Sequence, residues 1–297
     1  MFDFRLQVFQ TVAKRMNFTK AAAELYISQP AVTKHIQELE QHFKVKLFDR
    51  NGSKIKLTDA GETLLHYTEQ LFSLYRTLEF EMNGLTMQQS GRLRIGASTT
   101  VSQYVLPPVL ASFHKKFPDV KVTLTNQNTE KIEASLQNKE IDLGVIEGRS
   151  KNTSIKYTEF LKDEIVVVTS SKNQSIKKET ILPKDLKNIP LLLREPGSGT
   201  LEVITHALKS AGIKMRELKI EMQLESTESM KSYLLHSSCA ALLSIHSILA
   251  ELQKNEFRII DIKGLNIERY FYFIQLHGQV EALPDLFMKF ARHHNFK

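Results

Sequence analysis

The spacing of apolar and polar positions divides the chain into two regimes. Up to about residue 90 it is helical, and beyond Arg92 strand-like and helical runs alternate. Asn17–Glu24 reads as a short helix with Thr19 as its cap. Leu25-Tyr26-Ile27 then makes a tight corner without glycine, and Ser28 caps a second helix. Gln29 and Pro30 fill the first turn of that helix, where the missing proline donor costs nothing. Val32, Ile36 and Leu39 fall on its inner side, while Gln29, Thr33 and Lys34 fall outside. Two short helices meeting steeply form a helix-turn-helix, whose second helix fits the DNA major groove. The alternative reading is an ordinary amphipathic helix pair with a solvated polar face.

Lys44–Leu57 reads as a two-stranded wing with Asn51-Gly52 at its tip. Thr58 caps a long helix whose first turn holds Asp59 and Glu62, which favour the positive end of the helix dipole. Leu64, Leu71, Leu78 and Leu85 recur every seven residues, with Tyr67, Leu74, Tyr75 and Met82 between them. That is a coiled-coil seam suited to dimerisation, or else a long helix packed on its own domain. Gln88-Gln89-Ser90-Gly91 marks a hinge.

From Arg92 the expected order is strand (92–96), a helix over Val105–Phe117 interrupted early by Pro107-Pro108, strand (120–125), helix (130–137) and strand (143–146). Further strands are expected at 165–169, 191–193, 220–224, 241–244, 257–262 and 270–276, with helices at 201–211, 230–235, 248–252 and 283–293. Such alternation predicts parallel-rich sheets covered on both faces, with a ligand at the carboxyl ends of strands, against helix amino termini.

Composition sharpens this division. The net charge is +7, and residues 1–58 carry ten Lys/Arg against five Asp/Glu. A positive field concentrated on one small domain suits phosphate binding and makes affinity fall with salt. Arg50, Lys54 and Lys56 of the wing then stand near a DNA backbone. A glutamine such as Gln29 can bond adenine twice, Lys34 can reach guanine or phosphate, and the methyls of Ala31 and Thr33 can meet thymine. No run of eighteen apolar residues is present, and Met1-Phe2-Asp3-Phe4-Arg5 lacks the regions of a signal peptide, so a cytoplasmic protein that spans no membrane is expected. The lone Cys239, beside Ala240-Ala241-Leu242-Leu243, reads as a buried, inert thiol.

Polar clusters stand where strands end. They are Ser98-Thr99-Thr100, Thr129, Arg194-Glu195-Pro196-Gly197-Ser198-Gly199-Thr200 and Ser226-Thr227. Any one of them is explained by capping, whereas their recurrence points to a small anion-binding cleft. Gly197-Ser198-Gly199 lacks the glycine spacing and lysine of a P-loop. Glu147 is a further candidate, although a carboxylate repels an anion unless paired or protonated. His246, at a strand end, is a candidate ligand contact. His206, His236 and the His293-His294 pair invite a catalytic or metal reading, but none has ligand spacing and no Gly-x-Ser-x-Gly elbow occurs. No catalytic residue, metal or cofactor is therefore expected.

With these pieces assembled, the chain resembles the LysR-type transcriptional regulators over essentially its whole length. The resemblance is carried by Ala22-x-x-Leu25-x-x-Ser28-Gln29-Pro30-Ala31-Val32-Thr33, then Ile36, Leu39-Glu40, Leu47-Phe48-Asp49-Arg50 and Leu57-Thr58-x-Ala60-Gly61. It implies a mixed fold: a mainly α winged helix-turn-helix (1–58), a dimerising linker helix (59–90) and an α/β effector module (91–297). That module is similar to periplasmic binding proteins, with two Rossmann-like subdomains, 91–163 with 265–297 and 164–264, and crossings near Leu161–Ile165 and Ile262–Ile267. It further implies that Thr19, Ser28 and Arg50 meet the DNA backbone, that Gln29, Pro30, Thr33 and Lys34 belong to the recognition helix, and that Ser98, Thr100, Thr129 and Thr200 line the effector cleft. Thr99, Glu147, Gly197, Ser198 and Gly199 join that cleft.

The implied partners are an inverted-repeat DNA operator read by a homodimer, a homotetramer built as a dimer of dimers, RNA polymerase, and a small anionic co-inducer. The stretch 194–200, with Asn128-Thr129-Glu130 and Glu147-Gly148, looks most like the branch controlling sulfur assimilation or carbon fixation. The competing expectation is a cytoplasmic small-molecule-binding protein of periplasmic-binding type without a transcriptional role.

Overall fold

A computed structural model describes residues 3–51, 54–85, 90–148, 152–278 and 281–295. The chain separates into two units, Met1–Met82 and Asn83–Lys297. The first opens with α1 (Phe4–Arg15), α2 (Phe18–Glu24) and α3 (Gln29–Phe43). Their buried faces meet: Val8, Phe9 and Val12 of α1, Phe18, Ala21 and Ala22 of α2, and Val32, Ile36 and Leu39 of α3 form one core with Leu47 and Phe48. Asn17, not Thr19, caps α2, because its Oδ1 accepts from the Lys20 amide at 2.9 Å. Thr19 lies one residue inside the helix, exposed. Between α2 and α3 the backbone reverses at Tyr26, whose φ of 56° is left-handed and whose ring points into solvent. Ser28 caps α3 as expected, its Oγ accepting from the Ala31 amide at 3.3 Å.

The wing is β1 (Phe48–Asn51) paired antiparallel with β2 (Lys54–Leu57). Its predicted tip at Gly52 and the side chains of Arg50 and Lys54 lie outside the described residues. Thr58 ties the wing to the next helix, with Oγ1 donating to the Lys46 carbonyl at 2.6 Å and accepting from the Gly61 amide at 3.0 Å. That helix is α4 (Asp59–Leu85). Leu64 packs on the core of the first unit, whereas Tyr67, Leu71, Leu74, Leu78 and Met82 are exposed along one stripe. The hinge expected at 88–89 and the side chain of Leu85 are outside the described residues.

The second unit contains β3 (Gly91–Ser98), α5 (Leu106–Lys116), β4 (Val120–Gln127), α6 (Thr129–Gln137), β5 (Leu143–Glu147) and β6 (Ile155–Ser170). It continues with β7 (Thr180–Ile181), β8 (Leu191–Arg194), α7 (Gly199–Ser210), β9 (Ile220–Leu224), α8 (Thr227–Leu235) and β10 (Ala240–Ser244). It closes with α9 (Leu249–Gln253), β11 (Phe257–Ile262), β12 (Ile267–Leu276) and α10 (Ala282–Arg292). Among the described residues the sheet order is β4-β3-β5-β12-β6-β10-β8-β9, with β11 beside β6 and β7 beside β11.

Two parallel groups, β4-β3-β5 and β10-β8-β9, flank an antiparallel pair in the middle. Residues 155–165 of β6 pair with β12, and residues 165–169 pair with β10, so Ile165 is the point where one strand passes from the first half to the second. Ile132, Leu136, Ile146 and Ile274 fill the first half under α6, while Val203, Ile204 and Leu208 of α7 fill the second against Leu191, Leu193 and Leu242.

Two local expectations are corrected. The prolines do not interrupt a helix; they sit in the first turn of α5, where no donor is needed, after a π-helical turn over Val101–Val105. β6 begins ten residues before the expected Ile165, at Ile155. Charged residues such as Lys156, Lys162 and Glu164 break its apolar alternation because that stretch is exposed on one side. No helix among the described residues is long and apolar enough to cross a membrane.

Candidate functional site

The first candidate surface is the amino-terminal turn of α3. Ser28, Gln29, Pro30 and Lys34 are exposed there, and Ala31 and Thr33 are half-buried. Gln29 Nε2 donates to Thr33 Oγ1 at 3.0 Å, so the two polar ends are held together on the outer face. Inward Val32 and Ile36 fix this orientation, because turning the polar face inward would expose the core of the first unit.

The second candidate site joins the two halves of the rear unit, and its polar residues behave differently. Thr200 donates from Oγ1 to Glu147 Oε1 at 2.9 Å and accepts from Arg269 Nη1 at 2.9 Å. Arg269 also donates from Nε to Asp163 Oδ2 at 2.6 Å and faces Glu147 Oε2 with Nη2 at 3.1 Å. Asp163 Oδ1 accepts from Ser244 Oγ at 2.7 Å and lies 4.0 Å from His246 Nε2. Thr129 donates to the carbonyl of Glu147 at 2.7 Å. Glu147, Asp163, Arg269 and Thr200 are all buried. Hence Glu147 is a paired carboxylate, and both hydrogen-bonding roles of the Thr200 hydroxyl are filled within the protein.

Thr99 is also engaged, accepting from Arg194 Nη2 at 3.2 Å, while the same guanidinium holds Glu195 through Nε at 2.8 Å and Nη2 at 3.0 Å. Ser98 and Ser198 contrast with these. Both are buried, and neither hydroxyl has a hydrogen-bond partner among the described residues. Ser198 is the N-cap of the twelve-residue α7 without making a cap bond. The free amides of that first turn and the Ser198 hydroxyl are donors at the start of α7. Thr100 is buried.

Backbone geometry explains the glycines. Gly197 has φ +82°, and a Cβ at Gly199 would stand 1.9 Å from the carbonyl oxygen of Glu147. The start of α7 therefore docks on the end of β5 at backbone contact. A cavity of about 780 Å³ opens between α6 and α7, with Thr129, Gly197 and Ser198 on its wall together with Glu130, Glu133 and Glu202.

A second bridge crosses the unit at Tyr104, whose hydroxyl donates to Glu228 Oε1. Burial, and then the bond to Glu228, push the Tyr104 phenol well above its ordinary value. Lys231 sits between Glu228 (2.9 Å) and Glu251 (2.7 Å), its ammonium 5.0 Å from the Tyr104 ring centroid. Burial works against the charge on Lys231, but its bonds to Glu251 and Glu228 raise its pKa overall. Burial likewise opposes ionisation of Glu228, and the bonds from Tyr104 and Lys231 outweigh it.

Sequence reasoning nominated Ser98, Thr99, Thr100, Thr129, Glu147, Gly197, Ser198, Gly199, Thr200 and His246, placed Arg194 in the polar cluster 194–200 without a role of its own, and missed Asp163, Arg269, Ser244, Tyr104, Glu228 and Lys231. The missed partners lie 69 to 122 residues away from the groups they bond in the Arg269 network, so no local spacing marks them. Among the described residues no three His, Cys, Asp or Glu side chains gather as a metal site.

Residues 4–62 match the bacterial regulatory helix-turn-helix model of the lysR family, and residues 87–295 match the LysR substrate binding domain. A probable RuBisCO transcriptional regulator of Trichormus variabilis is 33% identical over 273 residues, covering 91% of this chain and 81% of that protein. The HTH-type transcriptional regulator CysL of Bacillus subtilis is 29% identical over 269 residues, covering 91% and 89%. The regulatory domain of CcmR from Synechocystis PCC6803, solved in complex with 2-PG, superposes with a TM-score of 0.62 at 27% identity, covering 68% of this chain and 96% of that one.

Proposed function

The chain belongs to the LysR-type transcriptional regulators, DNA-binding proteins that carry an effector domain, and from that premise we propose how its residues divide the work. The outer face of α3 reads base edges through Gln29, Ala31, Thr33 and Lys34, with Pro30 on the same recognition helix, while Thr19, Ser28, Arg50 and Lys54 set position on the phosphate backbone. Two copies join through the exposed stripe of α4, which presents two recognition helices to an inverted repeat, and pairs of dimers assemble into a tetramer that contacts RNA polymerase. The chain acts by binding, in the cytoplasm, and catalyses nothing.

The effector is a small anion held by Ser198 at the open first turn of α7, with Ser98 as a further donor. One observation carries this reading: two buried hydroxyls without partners, one of them at a helix N-cap that makes no cap bond. Each unsatisfied hydroxyl costs about 1–3 kcal/mol, which an acceptor ligand recovers. The amino-terminal amides favour negative charge. The CcmR domain that binds 2-PG supplies the chemical class, a phosphorylated carboxylic acid. Thr200, Thr99 and Glu147 serve the frame of this site rather than the ligand.

Thermal-shift titration of the full chain with 2-phosphoglycolate and related acids tests this. A rise in midpoint that Ser198→Ala abolishes is expected; a shift unaffected by Ser98→Ala and Ser198→Ala, or stabilisation by cations at the Glu130–Glu133–Glu202 wall instead, overturns it. A salt-dependent, sequence-specific mobility shift is expected in parallel.

A further inference from the structure

Arg269 has a place in the fold that no other cation in the described rear unit shares. It stands on β12 directly opposite Asp163 of β6, and these are the strands common to both halves. Its guanidinium then reaches outward in two directions, to Glu147 at the end of β5 in the first half and to Thr200 in the first turn of α7 in the second. Thr200 closes the triangle by bonding Glu147.

The charges make this arrangement cooperative. One guanidinium faces two buried carboxylates, and Asp163 is further held by Ser244. Withdrawing water from three charges is costly, and since Arg269 Nη2 and Glu147 Oε2 meet by charge at 3.1 Å without a hydrogen bond, the network is favourable only while its ion pairs stay closed. Moving α7 away from β5 breaks the Thr200–Glu147 and Thr200–Arg269 bonds together and separates Gly199 from the Glu147 backbone. The contact is therefore made or broken as a whole, which is what a switch between discrete states requires.

We propose that Arg269 is a positioning residue that couples the shared strands to the docking of α7 on β5, and so decides how Ser198 is presented; only this last clause rests on the ligand reading above. It does so without touching the ligand.

Amide exchange of the full chain, followed by mass spectrometry with no small molecule added, tests the coupling independently of any effector. Thr200→Val keeps the volume and removes the hydroxyl, and Arg269→Lys keeps the charge and removes the fork. Each is expected to accelerate exchange about tenfold over residues 197–204 and 128–132, where the Glu130 amide bonds the Gly197 carbonyl, the equivalent of one buried hydrogen bond. Thr200→Ser restores the native rate, the double variant exchanges no faster than either single one, and residues 282–292 stay unchanged. Uniform acceleration across the unit means a merely structural residue and overturns the proposal, as does native exchange in both variants, or additivity. Loss of ligand binding in Ser198→Ala with native exchange in Thr200→Val sinks the coupling and leaves the ligand site standing.

Discussion

Two serines precede the two helices on which the chain's chemistry rests, Ser28 before α3 and Ser198 before α7. Ser28 spends its hydroxyl on the Ala31 amide and leaves a row of polar side chains facing solvent. Ser198 caps nothing, while the polar residues around it, Thr200, Thr129 and Glu147, are consumed by one another and by Arg269. The front unit thus fixes its helix locally and offers its surface to a partner. The rear unit fixes its helix through distant partners and offers only what they leave over. A polar residue at a helix start carries opposite meanings in these two settings.

The sharpest way to break this contrast is to strip each helix of its anchor. Arg269→Ala leaves Asp163 and Glu147 buried with uncompensated charge, and a loss of about 3–5 kcal/mol of rear-unit stability is expected in denaturant titration. Gly199→Ala forces a methyl into the Glu147 carbonyl and is expected to cost about 1–3 kcal/mol by the same measurement. Lys34→Ala, at an exposed site, should leave the thermal midpoint where it is and weaken specific DNA binding by about 1–3 kcal/mol in a competition mobility shift. The smallest effect separates the two serines. Ser28→Ala is expected to lower stability by about 1 kcal/mol, and Ser198→Ala, which removes a buried hydroxyl without a partner, to raise it by about 1 kcal/mol, as calorimetry will show. Equal losses at both serines would contradict the idea that Ser198 keeps its hydroxyl for something else.

The same contrast explains what could be read from the chain. The Ser28 cap, the inward Val32, Ile36 and Leu39, the wing pairing and the Thr58 start of α4 rest on neighbours a few residues apart, and spacing alone reveals them. Asn17 was missed in favour of Thr19, since two capping residues stood within three positions and only geometry separates them. The alternation of strands and helices after residue 90 was legible, but the first ten residues of β6 were not, because charged residues interrupt their apolar pattern. At the cleft, composition showed where hydroxyls gather without showing which are free. Thr200 and Ser198 sit two residues apart and look alike, yet one has every bond it can make and the other has none. The bonds of Thr200 come from Glu147 and Arg269, 53 and 69 residues away, and nothing in the sequence around them announces the meeting.

The pairing of β12 with β5 and β6 also bears on the order in which the chain acquires its abilities during synthesis. The first half of the rear unit is assembled from residues 91–147 and, much later, from 267–292, with Phe287 of α10 packed 5.1 Å from Phe113 of α5. On a ribosome the front unit emerges whole and early, whereas this half waits for the last strand and helix to leave the exit tunnel. A newborn chain therefore completes α3 and its supporting core before the half that carries Glu147 and Arg269 can close.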